Sequence, residues 1–302
     1  MFKCTFKIAV LSLSALAFVS CKKDEKPAVS GDMMTFTGTI GGGGAKTEIN
    51  DLEVTWSVGD QVRINGNEFS STLTSDRKTA TFTGAMTLAD EYEAYYPASL
   101  YNETENKYVL PDTQHYAGDN GKVLSDVSPM YAKSATTDLQ FYNICALVKL
   151  VVKGEGTVKT ITVSADKPLS GAFTVESDAA VGYYAKLTST SKDAATVTLD
   201  CGEGVELKAE KDTTFYIALP QGEYTNLQFT LNNGSITWSS EAFSMKLTAG
   251  KMRTKELTDV KFVKPATLSG VFSVSATAKV KFSRGNLQCV RNGSNWADGY
   301  EW

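Results

Sequence analysis

The sequence is poor in residues that carry out chemistry, with one histidine, His115, and five cysteines among 302 residues. His115 lies in the polar segment Asp112–Tyr116, predicted as a loop, and the sequence has no Gly-x-Ser-x-Gly motif, so nothing indicates a Ser-His-Asp triad. The cysteines are scattered, without the spacing of metal ligands or of a disulfide framework. We therefore expect no enzyme activity, no metal site and no cofactor.

The sequence also lacks an excess of basic residues. It has 30 lysines and arginines against 34 aspartates and glutamates, which gives a net charge of −4. A mildly acidic protein has no electrostatic attraction for nucleic acid, so we expect no nucleic-acid partner. One carboxylate cluster, Asp90, Glu91 and Glu93, leaves glycosidase chemistry open, because that chemistry needs two carboxylates across a cleft. We favour a solvated acidic surface.

Three cysteines, Cys145, Cys201 and Cys289, lie beyond the N-terminal region. Cys145 belongs to the apolar run Asn143–Val148, so we expect it to be a buried structural thiol. A disulfide between Cys145 and Cys201 remains an alternative.

No apolar run is long enough to span a bilayer. The longest, Ile8–Val19, has about a dozen residues, whereas a spanning helix needs about 20. Lys3 and Lys7 precede it, and the small residue Ser20 stands directly before Cys21. This pattern predicts a lipoprotein signal peptide that is cleaved before Cys21, whose thiol then carries lipid. An ordinary secretory signal with an incidental cysteine is the alternative.

The segment after the predicted cleavage site is charged and ends in a proline, Lys22–Pro27. Such a segment buries little apolar surface, so we expect residues 21–34 to form a flexible tether. It also resembles the charged motif that follows the lipidated cysteine in surface-exported bacterial lipoproteins. The expected location is the cell surface, with the outer membrane as the partner of the lipid on Cys21.

The remaining sequence has no helical stripe of three turns, and Met86–Tyr92 is the one place where we expect a short turn of helix. Short β-branched and aromatic segments instead follow one another at intervals of about ten residues, separated by turn residues, which predicts an all-β fold of sandwich type. The predicted strands are Thr35–Ile40, Glu53–Trp56, Gln61–Ile64, Thr79–Thr83, Ala146–Val152, Lys159–Val163, Ala195–Leu199, Thr214–Leu219, Leu227–Leu231 and Ser235–Trp238.

The strand pattern divides the chain into successive parts. The parts are the signal peptide 1–20, the tether 21–34, an N-terminal β-sandwich domain 35–137, a C-terminal β-sandwich domain 138–262 and a short β module 263–302. The last part is too short for a core of its own. We interpret it as the start of a third, truncated module or as an appendage of the second domain.

Several single residues have structural roles that the sequence predicts. Trp56 is expected in a core, and Asp60 is expected to accept backbone N–H bonds in its turn, with calcium binding as the alternative. Tyr95 and Tyr96 point to opposite faces of a strand, so we expect one to be buried and the other exposed. An exposed tyrosine could stack on a sugar, although a solvated strand face is favoured. Gly41–Gly44 lacks the context of a phosphate loop and is interpreted as a flexible loop.

An ordered set of segments resembles the fimbrillin-like surface proteins over roughly residues 35–260. The resemblance implies two tandem transthyretin-like β-sandwich domains and the role of a pilus component, an anchor or tip protein, or an adhesin. A glycan-binding surface lipoprotein of a polysaccharide-uptake system is the alternative function. The segments are Thr35–Ile40 with Lys46 and Thr47, Val54–Trp56 with Gly59–Val62, Ala94–Ala98, Pro129–Ala132, Asn143–Lys149, Leu169–Gly171 and Phe215–Pro220.

The resemblance also implies a route of assembly. In polymerising fimbrillins a protease removes the N-terminal segment after a basic residue, and the vacated groove receives a strand from another subunit. Here the bond between Lys46 and Thr47, which follows the glycine loop, is the candidate processing site. The favoured alternative is that the loop stays intact and the protein is a permanent anchor or adhesin. The receptor is not identified by the sequence.

Overall fold

The computed structural model describes residues 31–41, 55–73, 77–116, 118, 128–188 and 195–262, with four two-residue strands beyond them. The predicted signal peptide, Cys21, most of the tether, the Lys46–Thr47 bond and Cys289 lie outside the described residues. No helix among the described residues is long and apolar enough to span a membrane.

The described residues form strands almost throughout, which confirms the prediction of an all-β fold. The one helical element is a single 3₁₀ turn, Ala98–Leu100. The first ten strands are β1 (Asp32–Ile40), β2 (Gln61–Ile64), β3 (Asn67–Leu73), β4 (Thr79–Met86), β5 (Tyr92–Tyr96), β6 (Tyr101–Asn102), β7 (Lys107–Leu110), β8 (Thr113–His115), β9 (Met130–Ser134) and β10 (Asp138–Asn143). The next are β11 (Cys145–Ser164), β12 (Gly171–Asp178), β13 (Gly182–Leu187), β14 (Thr196–Leu207), β15 (Thr213–Pro220), β16 (Gly222–Asn232), β17 (Thr237–Ser239), β18 (Phe243–Leu247) and β19 (Met252–Lys261). The last are β20 (Phe272–Ser273), β21 (Lys279–Val280), β22 (Val290–Arg291) and β23 (Tyr300–Glu301).

The first unit is a closed barrel of seven strands in the order β1-β10-β9-β5-β2-β3-β4. Alternation along each strand directs one face inward, and the inward faces form an aromatic-rich core. Its buried members are Phe36, Trp56, Val62, Ile64, Phe69, Ala80, Phe82, Met86, Tyr92, Ala94, Tyr96, Met130, Ala132, Leu139 and Phe141.

The strand β10, which the sequence assigned to the C-terminal domain, belongs to the barrel. It pairs with β1 and with β9, and its residues Leu139 and Phe141 lie in the barrel core. The cause is the alternation within Asp138–Asn143, which buries one face of the strand in the aromatic core, where the Phe141 ring meets those of Trp56 and Phe82. The structure therefore places the change of core after Asn143 rather than at residue 138.

The second unit is organised around the 20-residue strand β11. The sequence predicted two strands here, Ala146–Val152 and Lys159–Val163, whereas the structure has one strand that serves two sheets. Its first half pairs with β15 and β19, and its second half pairs with β14 and β16. The core between these sheets is mainly aliphatic, with Val148, Leu150 and Ile161 among its members, and it also contains Phe215 and Phe229.

Residues 101–115 leave the barrel and join the second unit. The strand β7 pairs with β12, and β8 pairs in parallel with β14. A third buried cluster lies where the two units meet, and it contains residues from both. Its buried members are Leu100, Leu110, Tyr131, Ile144, Cys145, Leu147, Phe173, Ala185 and Ala218.

Two local predictions were wrong. The segment Met86–Tyr92 has no helical turn, because its two ends are buried ends of β4 and β5 and the residues between them run irregularly. Thr55 and Trp56 are not in a strand, although the backbone N–H of Trp56 donates to the carbonyl of Arg77 at 2.7 Å. The other two residues of that predicted strand lie outside the described residues.

Candidate functional site

The candidate functional site is the strand β1 together with the groove of the barrel that it fills. Along one edge, β1 pairs antiparallel with β4 from Asp32 to Thr39. Along the other edge, it pairs in parallel with β10 from Thr37 to Ile40. The second half of β1 therefore has hydrogen-bonding neighbours on both sides. The strand begins at Asp32, so the last three residues of the predicted tether, 32–34, pair with β4 and are not part of a flexible segment.

The inner face of β1 contacts aromatic rings. The Phe36 side chain is fully buried, and its ring meets the rings of Phe69 and Tyr92 edge to face, at centroid distances of 5.5 and 5.0 Å. Two residues further along, Gly38 lies beneath Phe82 and Phe141. A Cβ atom at Gly38 would lie 2.6 Å from the Phe82 ring, so only glycine fits without moving that ring.

Trp56 connects the groove to β1, and the prediction that it is a core residue is confirmed. Its ring meets those of Phe82, Tyr96 and Phe141 edge to face, with centroids 5.1–5.2 Å apart. Its indole Nε1–H donates to the Gly38 carbonyl at 3.0 Å. Tryptophan can be buried at low cost when its N–H finds such a partner, and here the partner is β1 itself.

Asp60 has the turn role that the sequence predicts. Its carboxylate accepts the backbone N–H of Ser57 at 2.7 Å, and the Ser71 hydroxyl donates to the Ser57 carbonyl at 2.6 Å. Among the residues that the structure describes, no group of three histidine, cysteine, aspartate or glutamate side chains could hold a metal ion.

His115 ends the strand β8 and does not lie in a loop as expected, because Thr113–His115 pairs in register with β14. Its Nδ1 atom is 3.8 Å from the Asp200 carboxylate, and both side chains are exposed to solvent. This surface pair has the character of a weak ion pair.

One lysine pairs with two of the three carboxylates of the acidic cluster. The Lys133 ammonium lies 2.8 Å from a Glu91 oxygen and 3.1 Å from a Glu93 oxygen. Bonding to these two carboxylates raises the pKa of Lys133 above its usual range. The arrangement fits the favoured interpretation of a solvated surface.

The prediction for the tyrosine pair was half right. Tyr96 is buried in the barrel, but Tyr95 is not an exposed aromatic residue. Its ring stacks on that of Tyr108 with the centroids 3.5 Å apart and the planes at 15°, and the Tyr131 ring meets it edge to face. Burial and the nearby Glu93 raise the pKa of Tyr95 to about 12.

These rings belong to a larger cluster, here called the tyrosine cluster, that joins the two units. Sequence reasoning missed it, because its members come from seven different strands between β5 and β13. It comprises Tyr95, Tyr101, Tyr108, Tyr131, Tyr142, Phe173 and Tyr183. The Arg63 guanidinium lies over the Tyr101 ring, 4.3 Å from its centroid. The rings pack on one another, so the cluster forms an interface within the chain and not a flat platform for a sugar.

Gln114 is another residue at this interface that sequence reasoning missed. Its side chain is buried, its Nε2 donates to the Ala218 carbonyl at 2.7 Å, and its Oε1 accepts the Ala218 N–H at 2.9 Å. The amide therefore forms with β15 the two hydrogen bonds that a neighbouring strand would form. Nearby, Cys145 and Cys201 are free and buried, so the alternative of a disulfide between them is wrong.

Neither a protein-family model nor a curated protein matches this chain. Solved structures similar to it include a candidate cell adhesion protein from Bacteroides ovatus, at 13% identity and a TM-score of 0.43, which covers 74% of this chain and 91% of its own. A tip fimbrial protein from Porphyromonas gingivalis, solved with a C-terminal truncation, has 10% identity and a TM-score of 0.33, and covers 76% of this chain and 95% of its own. A fimbrial assembly protein from Parabacteroides distasonis has 10% identity and a TM-score of 0.32, with 74% and 90% covered. At these sequence identities and TM-scores, the similarities do not assign a function to this chain.

The fit of β1 in its groove is tested by Gly38→Ala. We expect a loss of about 1–3 kcal/mol in the free energy of unfolding, because the added Cβ displaces a ring of a packed core. The matched control is Thr39→Ala, on the other face of the same strand, for which a smaller loss is expected. Urea unfolding followed by circular dichroism measures both, and a Gly38→Ala protein as stable as the parent would contradict the observed fit.

The tyrosine cluster makes stability depend on alkaline pH. The pKa of Tyr95 is raised from 10.0 to about 12 in the folded protein, so the folded state holds this proton more tightly than the unfolded state. The contribution is complete below pH 10 and is lost as the pH rises towards 12. We expect the free energy of unfolding to fall over this range, and to fall less steeply in Tyr95→Phe. If the free energy of unfolding falls equally steeply with pH in the two proteins, Tyr95 does not contribute to the pH dependence.

Proposed function

We propose that this chain is a non-enzymatic cell-surface protein that acts as a fimbrial component, an anchor or tip protein, or an adhesin, and that lipid on Cys21 holds it at the outer membrane. The observation that carries the proposal is the position of β1. The predicted anchor leads directly into the strand that closes the barrel, so the attachment is joined to the core of the first unit and not to a peripheral loop.

The length of the tether supports a position close to the membrane. About ten residues separate Cys21 from Asp32, where β1 begins, and a fully extended chain of that length reaches roughly 35 Å. The barrel is then held near the lipid surface, and the rest of the chain extends from it.

The chemistry of the described side chains supports a protein without catalysis. The groups that the sequence marks as reactive have structural partners: Asp60 closes a turn, Glu91 and Glu93 pair with Lys133, and His115 faces Asp200 at the surface. Burial raises the pKa of the Cys145 thiol to about 12, which makes this cysteine a poor nucleophile.

The contacts of β1 favour a protein that keeps this strand. Phe36 is buried among rings, Gly38 fits beneath two of them, and the Trp56 indole bonds to the β1 backbone. We therefore propose a permanent anchor or adhesin as the first candidate.

A polymerising subunit is the second candidate, and the pairing of β1 on both edges favours it. If the chain were cut after Lys46, β1 would be held by non-covalent contacts alone. Its departure would leave unpaired edges on β4 and β10 and an open aromatic groove, which a strand from another subunit could fill.

The anchor is tested by substitution of the predicted lipidated cysteine. We expect Cys21→Ala to release the protein from the membrane fraction, because the acyl chains supply the affinity for the bilayer. Cys4→Ala, in the predicted leader, is the matched control and should leave fractionation unchanged. Mass spectrometry of the membrane-extracted protein should show lipid on Cys21 at the mature N-terminus. An unmodified N-terminus elsewhere, or a Cys21→Ala protein that remains with the membrane, would contradict the anchor.

Limited trypsin digestion of the folded protein separates the two candidates, with Lys46→Gln as the control that removes the candidate processing site. A permanent anchor predicts that the Lys46–Thr47 bond survives while other loops are cut, or that the cut product stays monomeric and folded with β1 bound. Early cleavage at this bond followed by oligomers or fibres, absent in Lys46→Gln, would establish the polymerising subunit instead.

A further inference from the structure

The two units share one arrangement of their first and last strands. In the first unit β1 pairs in parallel with β10, and in the second unit β11 pairs in parallel with β19. The only other parallel pair among the described strands is β8 with β14, and all the rest are antiparallel. In each unit the strand by which the chain enters therefore lies beside the strand by which it leaves.

This arrangement decides how the units respond to tension along the chain. Tension would enter the first unit at the start of β1 and leave it at the end of β10, and it would enter the second unit at the start of β11 and leave at the end of β19. Because the strands of each pair are parallel, the two forces act along the strand axes in opposite directions. They slide the strands past each other, and the ladder hydrogen bonds, which lie across the strands, are strained together rather than one after another.

We propose that the β1–β10 and β11–β19 pairs are shear clamps, that is, strand pairs that keep the two units folded while the chain is under tension. The proposal rests on the proposed function in one respect, since sustained tension requires a chain fixed at its N-terminal end. The clamp itself is a property of the fold and is measurable without a membrane.

The hydrogen bonds of the first clamp lie on both edges of β1. The Thr37 N–H donates to the Thr137 carbonyl at 2.9 Å, towards β10, and the Ile40 N–H donates to the Lys78 carbonyl at 2.9 Å, at the start of β4. Sliding β1 out of the barrel would break both ladders at once and would pull the buried Phe36 ring from its pocket.

The second clamp is longer. It extends from Leu147 opposite Met252 to Glu155 opposite Lys261, with a register shift between Val152 and Gly154. The Leu147 N–H donates to the Lys251 carbonyl at 3.0 Å, and the Gly250 N–H donates to the Cys145 carbonyl at 2.9 Å.

A glycine fixes the register of each pair. A Cβ at Gly154 on β11 would lie 2.2 Å from the carbonyl oxygen of Val260 on β19, so the neighbouring residues of β11 cannot move into that position. Gly38 on β1 has the same effect beneath Phe82 of β4 and Phe141 of β10, where sliding by two residues would bring in Phe36 or Ile40. Both clamps therefore resist sliding through steric contact in addition to hydrogen bonds.

The test is single-molecule pulling of residues 22–302 in two directions, with Cys289→Ser in every protein. Cys145 and Cys201 are buried, so a cysteine introduced at the surface is the thiol to which a handle attaches. End-to-end pulling through terminal peptide tags strains both clamps in shear. The second direction uses the N-terminal tag and a handle at Leu88→Cys, an exposed position two residues beyond Met86, which pairs with Asp32. This direction peels β1 from β4 one pair at a time. Since forced unfolding follows the unfolding barrier, we expect a higher unfolding force for the first unit in the end-to-end direction.

A pair of proline variants locates the effect. Thr37→Pro removes the N–H that donates to Thr137, and we expect a loss of end-to-end unfolding force for the first unit. Thr35→Pro is the matched control: it precedes the segment paired with β10, and in the antiparallel alternation its N–H points away from β4. We expect Thr35→Pro to retain the force.

Equal unfolding forces in the two directions would overturn the proposed clamp. Equal losses of unfolding force in the two proline variants, compared at the same free energy of unfolding, would overturn it as well. If Thr37→Pro does not fold, the comparison of directions in the parent protein still decides. Release of Cys21→Ala from the membrane is measured separately, so a failed anchor and a failed clamp give different results.

Discussion

The burial of β1 between β4 and β10 is the constraint on which the first unit depends. The backbone groups along the edges of β4 and β10 need hydrogen-bond partners, and β1 supplies them. A buried N–H or carbonyl without a partner costs about 1–3 kcal/mol. The side chains impose a second requirement. The groove beneath β1 is aromatic, and it accepts a large ring at Phe36 but no side chain at Gly38. The Trp56 indole satisfies its N–H on the β1 backbone, so even the largest core residue depends on this strand being present.

Residues 101–115 connect the barrel to the second unit. They do so by strand pairing, which an ordinary linker does not form. The strands β7 and β8 extend sheets of the second unit, and Gln114 reproduces with its amide group the hydrogen bonds of a strand along β15. The tyrosine cluster fills the space between the units with rings that contact one another, including the stacked pair Tyr95 and Tyr108. Burial also raises the pKa of the Tyr131 hydroxyl above that of an ordinary phenol, so this hydroxyl stays neutral where the two units meet.

The sequence predicted the fold class and many of the strands because alternation and β-branched composition are local properties. The strand Gln61–Ile64 was predicted with its observed bounds, and Trp56 and Asp60 have the roles expected of their residue types. Pairing is not local, and that is where prediction failed. Nothing within Asp138–Asn143 shows that it closes a barrel with a strand a hundred residues earlier, and nothing within Tyr95 shows that Tyr108 returns to cover it. The long strand β11 was predicted as two separate strands, whereas the structure continues it through Gly154, which approaches the backbone of β19 closely.

A function that depends on strand pairing produces a different sequence pattern from a function that depends on catalysis. Catalysis requires particular side chains, which appear as motifs, whereas parallel pairing of the first and last strands requires only that two segments fit a shared register. The residues that fix such a register are those where a side chain cannot be accommodated. Gly38 and Gly154 occupy this position in the two units, one beneath aromatic rings and one against a carbonyl oxygen. The placement of these glycines thus has one physical explanation: in each unit an aromatic ring or a backbone atom occupies the space that a side chain would need.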